Sequence, residues 1–269
     1  MGVQLNPGGE ARIKAMFDRQ AGYEGLYRKC RAAFRRPDAA AESALSRTGV
    51  ERLSVLAADE CAKLRQMIDV GSGFLKKRIF QVALLEKIFT PEVDERIANH
   101  FGSEYLPLWC RFYRNDPEGE PGVSFAWHCD GGPTAHLKLL LYLNDADEHG
   151  GGTQFLDRET TDAFKTIAYV YCDTSQRVAD LSGLAREHGL PYDPHQWPMR
   201  TGEAMLFEPT NILHRGLWPV AGPRYLLQVC IVPSPLPWRE ACERYAIPRP
   251  DTDWPIADAD WPAAAADLL

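Results

Sequence analysis

The chain has 269 residues, 45% hydrophobic and 25% charged, a globular composition that excludes a disordered chain and a disulfide-stapled miniprotein. At that length one elaborated domain is favoured over two. Lys and Arg number 30 against 37 Asp and Glu, and the formal charge of −7 argues against nucleic acid or an anionic membrane as partner.

The seven cysteines, at positions 30, 61, 110, 129, 172, 230 and 242, are scattered and contain no C-x-x-C pair. No leader-like segment opens the sequence and no apolar run approaches the length of a membrane span, so a soluble, cytoplasmic protein with reduced thiols is expected. Oligomeric state is not readable from the sequence.

Residues 1–104 read as a mostly helical N-terminal support. Residues 57–69 carry Cys61, Leu64, Met67 and Ile68 at helical spacing, and Thr90-Pro91 opens a helix over 92–100 in the cap-then-proline manner. From 105 to 234 the texture changes to short β-branched, aromatic and Leu-rich runs between Gly, Pro, Asn and Asp turns, the pattern of an antiparallel sandwich or barrel. Strands are expected at 106–113, 123–130, 136–143, 153–156, 166–171, 204–207, 214–219 and 224–232. A helix-like insertion is expected at 175–188, within a segment near 175–200 that ends in a loop around His195. Residues 235–269 form a tail whose repeated Asp-Trp-Pro, at 253–255 and 260–262, reads as solvated or loosely docked.

The chemistry sits on the second expected strand. Alternation over 123–130 puts Val123, Phe125, Trp127 and Cys129 on one face and His128 and Asp130 together on the other, where an imidazole and a carboxylate two residues apart can share one cation. One such pair is uninformative, since about one is expected by chance in a chain of this composition. A third candidate ligand, His214, follows the apolar run that ends at Phe207, and Arg224 comes ten residues later, after the Gly222-Pro223 turn. Two His and one carboxylate on one side of a metal leave three positions open, as in non-haem Fe(II) oxygenases, whereas a closed zinc site would want a fourth ligand and Cys129 faces away. The planar Arg224 guanidinium can hold a carboxylate bidentately, although a surface residue after a turn is the plain alternative.

In order, Trp127-His-Cys-Asp130, Lys138-Leu-Leu-Leu-Tyr-Leu-Asn-Asp145, Gly151-Gly-Thr-Gln-Phe155, Gly202-Glu-Ala-Met-Leu-Phe207, His214-Arg-Gly216 and Arg224-Tyr225 resemble the motifs of Fe(II)- and 2-oxoglutarate-dependent dioxygenases. The nearest pattern is the phytanoyl-CoA dioxygenase-like branch, with the prolyl-hydroxylase-like group next. The resemblance covers about half the chain. It implies a mainly β, α+β fold, a double-stranded β-helix (jelly roll, cupin-like) core with flanking helices. It further implies Fe(II) held by His128, Asp130 and His214, with 2-oxoglutarate as cosubstrate on Arg224 and dioxygen as oxidant.

By the same resemblance Lys138, Tyr142 and Gln228 are candidate cosubstrate contacts. Each also has an ordinary reading: a lysine reaching water for Lys138, packing for the other two. Tyr113 is a further candidate for the cavity wall, Trp127 reads as core, and Gly151-Gly152 reads as a turn. Arg158, His195, Trp197 and Arg215 are candidate gate residues or plain loop residues. The implied activity is hydroxylation, desaturation or cyclisation of a small organic molecule with release of succinate and CO2. Halogenating relatives replace the carboxylate that Asp130 supplies here. Two other readings stand beside it, a peptide or protein side-chain hydroxylase and a catalytically silent metal-binding jelly-roll module.

Overall fold

The computed structural model describes residues 24–25, 27–32, 44–131, 135–245 and 247–248. Among them the strands are β1 (Val50–Ser54), β2 (Glu104–Asn115), β3 (Leu137–Tyr142), β4 (Gly152–Phe155), β5 (His195–Gln196), β6 (Glu203–Phe207), β7 (His214–Leu217) and β8 (Arg224–Ser234). Five pair antiparallel in the order β1-β6-β3-β8-β2 and three in the order β5-β4-β7. This is the antiparallel jelly-roll class with flanking helices expected from the sequence, but mixed rather than mainly β, since among the described residues more lie in helices than in strands.

Period-2 alternation decides what each face of the large sheet does. On β3, Leu137, Leu139 and Leu141 point outward with Leu206 of β6 and Leu227, Val229 and Ile231 of β8, all fully buried under the N-terminal helices. The opposite face carries Leu140 and Tyr142 of β3, Met205 and Phe207 of β6 and Leu226 of β8, and these meet Phe155 of β4 between the sheets.

After α1 (helical at 24–25 and 27–32) and α2 (Ala44–Thr48), the helices that cover the outer face are α3 (Ala58–Asp69), α4 (Arg78–Ile88) and α5 (Pro91–Phe101). α5 starts as expected: Thr90 Oγ1 accepts from Val93 N–H at 3.4 Å, proline stands in the first turn, and Gly102 ends the helix with φ +59°. Its Val93, Ile97, Ala98 and Phe101 form the buried stripe.

Several elements differ from the sequence expectation. β1 lies inside the segment read as helical and forms the edge of the large sheet next to β6. Residues 123–130 are no continuous strand: Val123–Phe125 is a 3-10 turn, and the extended chain beyond it joins β7 through one bridge, His128 to His214. The run at 166–171 is the end of a helix, α7 (Arg158–Thr166), followed by a 3-10 turn at Tyr169–Tyr171. Asp157 starts that helix by accepting from Thr160 N–H at 2.6 Å, a local cap that outweighs the β propensity of the residues after it. Before α7 comes the four-residue α6 (Ala146–His149). The insertion keeps only a 3-10 turn at Thr174–Gln176 and α8 (Ser182–His188), while His195 belongs to β5 rather than to a loop. α9 (Trp238–Tyr245) follows β8, and the Asp-Trp-Pro repeats lie outside the described residues.

The insertion packs on the back of the small sheet. Leu181 and Ala185 join Trp127, Cys129, Leu156, Phe164, Tyr169 and Leu213 in a second buried cluster. Tyr169 is its fastener, because its hydroxyl donates to Trp127 O at 3.1 Å and accepts from Val178 N–H at 3.1 Å. All seven cysteines are buried thiols. No described helix is long and apolar enough to cross a membrane.

Candidate active site

The bridge between His128 and His214 sets the site. Each residue donates its backbone N–H to the other's carbonyl, both at 3.0 Å, so the two form a hydrogen-bonded antiparallel pair whose side chains leave the sheet on the same side. The rings stand 4.3 Å apart between centroids, and Phe207 packs edge-on to His214 at 4.8 Å. Asp130, two residues beyond His128, is anchored by its N–H to Pro209 O at 2.8 Å.

Both imidazoles are held in one tautomer. His128 Nδ1 lies 2.8 Å from Ala126 O, and His214 Nδ1 lies 2.9 Å from Ile212 O. A carbonyl only accepts, so each Nδ1 carries the proton and each Nε2 keeps its lone pair. Burial and the neighbouring imidazole push His128 well below the usual histidine range, and burial lowers His214 to about 4. Both rings are therefore neutral near pH 7. Asp130 Oδ1 lies 3.5 Å from His128 Nε2 and 3.9 Å from His214 Nε2, and the three donor atoms fall within 4.8 Å of one another.

Burial alone would push the Asp130 carboxyl up. Lys138, His136, His214 and His128 outweigh it and hold the group well below the ordinary carboxylate range. The Lys138 ammonium is ion-paired to Oδ2, with His136 Nε2 at 3.6 Å. Lys138 thus rests against the carboxylate rather than reaching water. Two neutral nitrogens and one anionic oxygen, oriented before any metal arrives, fit a divalent iron ion with open positions on the far side.

Arg224, the first residue of β8, is 3% exposed. Its Nη2 donates to Thr153 Oγ1 at 3.2 Å and lies 3.4 Å from Tyr142 Oη, the guanidinium stands over the Tyr142 ring at 5.6 Å, and Nε has no acceptor. Among the described residues no carboxylate pairs with it. Thr153 Oγ1 also accepts from Tyr142 Oη at 2.8 Å, so its own proton is left to donate elsewhere. Gly216, opposite Thr153 in the β4–β7 ladder, admits the guanidinium, since a Cβ there would lie 3.3 Å from Nη1 and 2.8 Å from the Phe125 ring.

Gly216 is two residues beyond His214 on β7, about 6.6 Å along the strand, so the residue that borders the Arg224 guanidinium and the candidate metal ligand His214 share one face of that strand. Gln228 lies on the same face of β8 as Arg224, opposite Leu140 and Arg111, and Tyr113 is half-buried against the cluster between the sheets. Trp127 is fully buried on the back. Arg215 also points to the back, bonded to Gln154 Oε1 at 2.8 Å and to Ala179 O, with its guanidinium over Trp127. Arg158 pairs with Glu208 at 2.9 Å, while His195 and Trp197 pack around Phe155. Thr153 was named in the sequence only as part of a motif; its bond to Arg224 spans 71 residues, and no local signal reveals it.

No family model and no curated protein matches the chain. Among solved structures it is similar to the epimerase SnoN in complex with Fe3+, alpha ketoglutarate and nogalamycin RO (14% identity, TM-score 0.48, 78% of this chain and 85% of that one). It is also similar to EctD from S. alaskensis with 2-oxoglutarate and 5-hydroxyectoine (17%, 0.47, 73% and 78%) and to HygX from Streptomyces hygroscopicus with nickel and 2-oxoglutarate (15%, 0.43, 70% and 84%). With TM-scores below 0.5, none of these fixes the activity of this chain, which has to be read from its own side chains.

Proposed function

We propose that the chain is a non-haem Fe(II)- and 2-oxoglutarate-dependent oxygenase of the phytanoyl-CoA dioxygenase-like branch that hydroxylates, desaturates or cyclises a small organic molecule. The observation that carries this reading is a buried arginine without an acidic partner among the described residues, facing the same interior as a His-Asp-His triad. An unpaired buried cation costs several kcal/mol, and an anionic ligand is what offsets that cost. A five-carbon dicarboxylate spans roughly 5 Å between its end carbons, which suits the interval between His214 and Gly216.

When bound, iron(II) with 2-oxoglutarate and dioxygen supplies the oxidising power for C–H cleavage, with succinate and CO2 as co-products. His128 and His214 present Nε2 lone pairs, and Asp130 adds one negative charge. Lys138 and His136 hold the second Asp130 oxygen, which keeps that carboxylate turned. Arg224 and the Thr153 hydroxyl grip the distal carboxylate, and Tyr142 fixes both of them. Leu140, Phe155, Met205 and Leu226 exclude water from the interior.

The test is 2-oxoglutarate consumption and succinate release by the Fe(II)-loaded protein, compared with His128→Ala and Arg224→Ala. His128→Ala is expected to abolish turnover. Arg224→Ala is expected to raise the Kd for 2-oxoglutarate about 100-fold, the loss of charge-assisted hydrogen bonds, while iron binding stays within a few-fold. A wild-type protein that binds iron but neither binds nor consumes 2-oxoglutarate would be a metal-binding module without this activity.

A further inference from the structure

Resting on that reading, we infer that His149 is a second binding residue for the distal carboxylate of 2-oxoglutarate, donating from Nε2 beside Arg224. His149 closes α6, is 1% exposed and has its Nε2 buried without a hydrogen-bond partner among the described residues. Its other nitrogen is committed, because Nδ1 lies 3.0 Å from Gly151 N, whose N–H can only donate. The lone pair is therefore on Nδ1 and, in the neutral ring, the proton is on Nε2. Burial, then the Arg224 charge, push His149 down to about 4 against the opposing pull of Asp145 and Asp147, so the ring is neutral near pH 7.

The β4–β7 ladder places this donor one pleat from the arginine. A Cβ on Gly151 would lie 2.8 Å from His149 Nδ1 and 3.0 Å from Leu217 O, whereas the next pair along, Thr153 and Gly216, borders Arg224. Gly151 and Thr153 are two residues apart, about 6.6 Å along an extended chain. A carboxylate hydrogen-bonded on both sides separates its donors by roughly 6 Å. Two neighbouring buried side chains thus each leave a donor without an acceptor, His149 Nε2 and Arg224 Nε, with the spare Thr153 proton beside them. A buried donor is retained where a ligand satisfies it. A carboxylate accepts from all three and a neutral chain end from none, so His149 acts on specificity for dicarboxylic over monocarboxylic 2-oxo acids.

The experiment titrates Fe(II)-loaded protein anaerobically with 2-oxoglutarate and, separately, with 2-oxobutyrate, which has the same chelating head and no distal carboxylate. His149→Phe is expected to raise the Kd for 2-oxoglutarate about 10- to 100-fold, one hydrogen bond to a charged group, and to leave 2-oxobutyrate within about twofold. Equal weakening of both acids, or of neither, overturns the assignment. In wild-type protein carrying Zn(II), the 15N-labelled His149 Nε2–H signal is expected to shift with 2-oxoglutarate and stay put with 2-oxobutyrate. No shift with either overturns the assignment independently of any variant. Wild-type protein that binds no 2-oxoglutarate fails the functional reading itself, a different result from wild-type binding that His149→Phe leaves intact.

Discussion

Lys138 shows what surrounds a candidate metal ligand, Asp130. Its ammonium pairs with Asp130, a carboxylate that burial would otherwise leave largely uncompensated. Breaking a buried pair from one side costs about 3–5 kcal/mol, so metal-free Lys138→Met is expected to lose that much in a denaturant titration. Divalent metal should restore part of it, giving the variant a larger stabilisation on adding Zn(II) than the wild type. Thr153 works at the same scale. Thr153→Val removes the acceptor shared by Arg224 and Tyr142 and should raise the Kd for 2-oxoglutarate at least about tenfold, with metal affinity unchanged by calorimetry. The alternation over 123–130 brought His128 and Asp130 together on paper; Val123–Phe125 does not follow it, but the extended chain around His128 still imposes a period of two. Period-2 alternation puts Lys138 on the same face of β3 as Leu140 and Tyr142, yet its partner Asp130 depends on how two sheets meet, which no window of sequence contains.

Secondary-structure elements were legible where local chemistry decides them and obscure where pairing does. α5 was readable from Thr90-Pro91, and β3 and β8 from apolar runs long enough to be strands in any context. β1, the sequence Val-Glu-Arg-Leu-Ser, is short and half polar; it is a strand because β6 offers an edge about 150 residues away in the sequence. The junction between β1 and β6 turns on Gly202, whose carbonyl accepts from Val55 and Leu56 N–H at 2.9 and 3.1 Å and whose φ is +85°. A Cβ there would overlap the Leu56 carbonyl. Gly202→Ala should therefore destabilise by more than the roughly 1–2 kcal/mol of the backbone conformation alone, a fall of several degrees in Tm. An unchanged Tm would mean that β1 is not held at this junction.

For the whole molecule, the histidines with lowered pKa values make stability sensitive to acid. His100, half-buried beside Glu208 and Arg158, and His149 are both held below the ordinary value of about 6.5. Below that pH the unfolded chain takes up protons that these folded sites refuse, so their stabilising contribution is complete above pH 6.5 and falls away below it, for His149 as pH approaches 4. The denaturation midpoint should be flat near neutrality and drop across that window, and His149→Phe should shallow the drop.

The seven buried thiols give the fold a readout of its own motions. Burial raises Cys30 and Cys61 to about 11 and Cys230 and Cys242 to about 12, so at neutral pH they are neither exposed nor ionised. A small alkylating reagent can then reach them only when the chain opens, and each modified cysteine becomes a time-stamped record of a local unfolding event. Cys230, opposite Trp109 of β2 on one side and Lys138 of β3 on the other, lies inside the large sheet and should be the last to be marked.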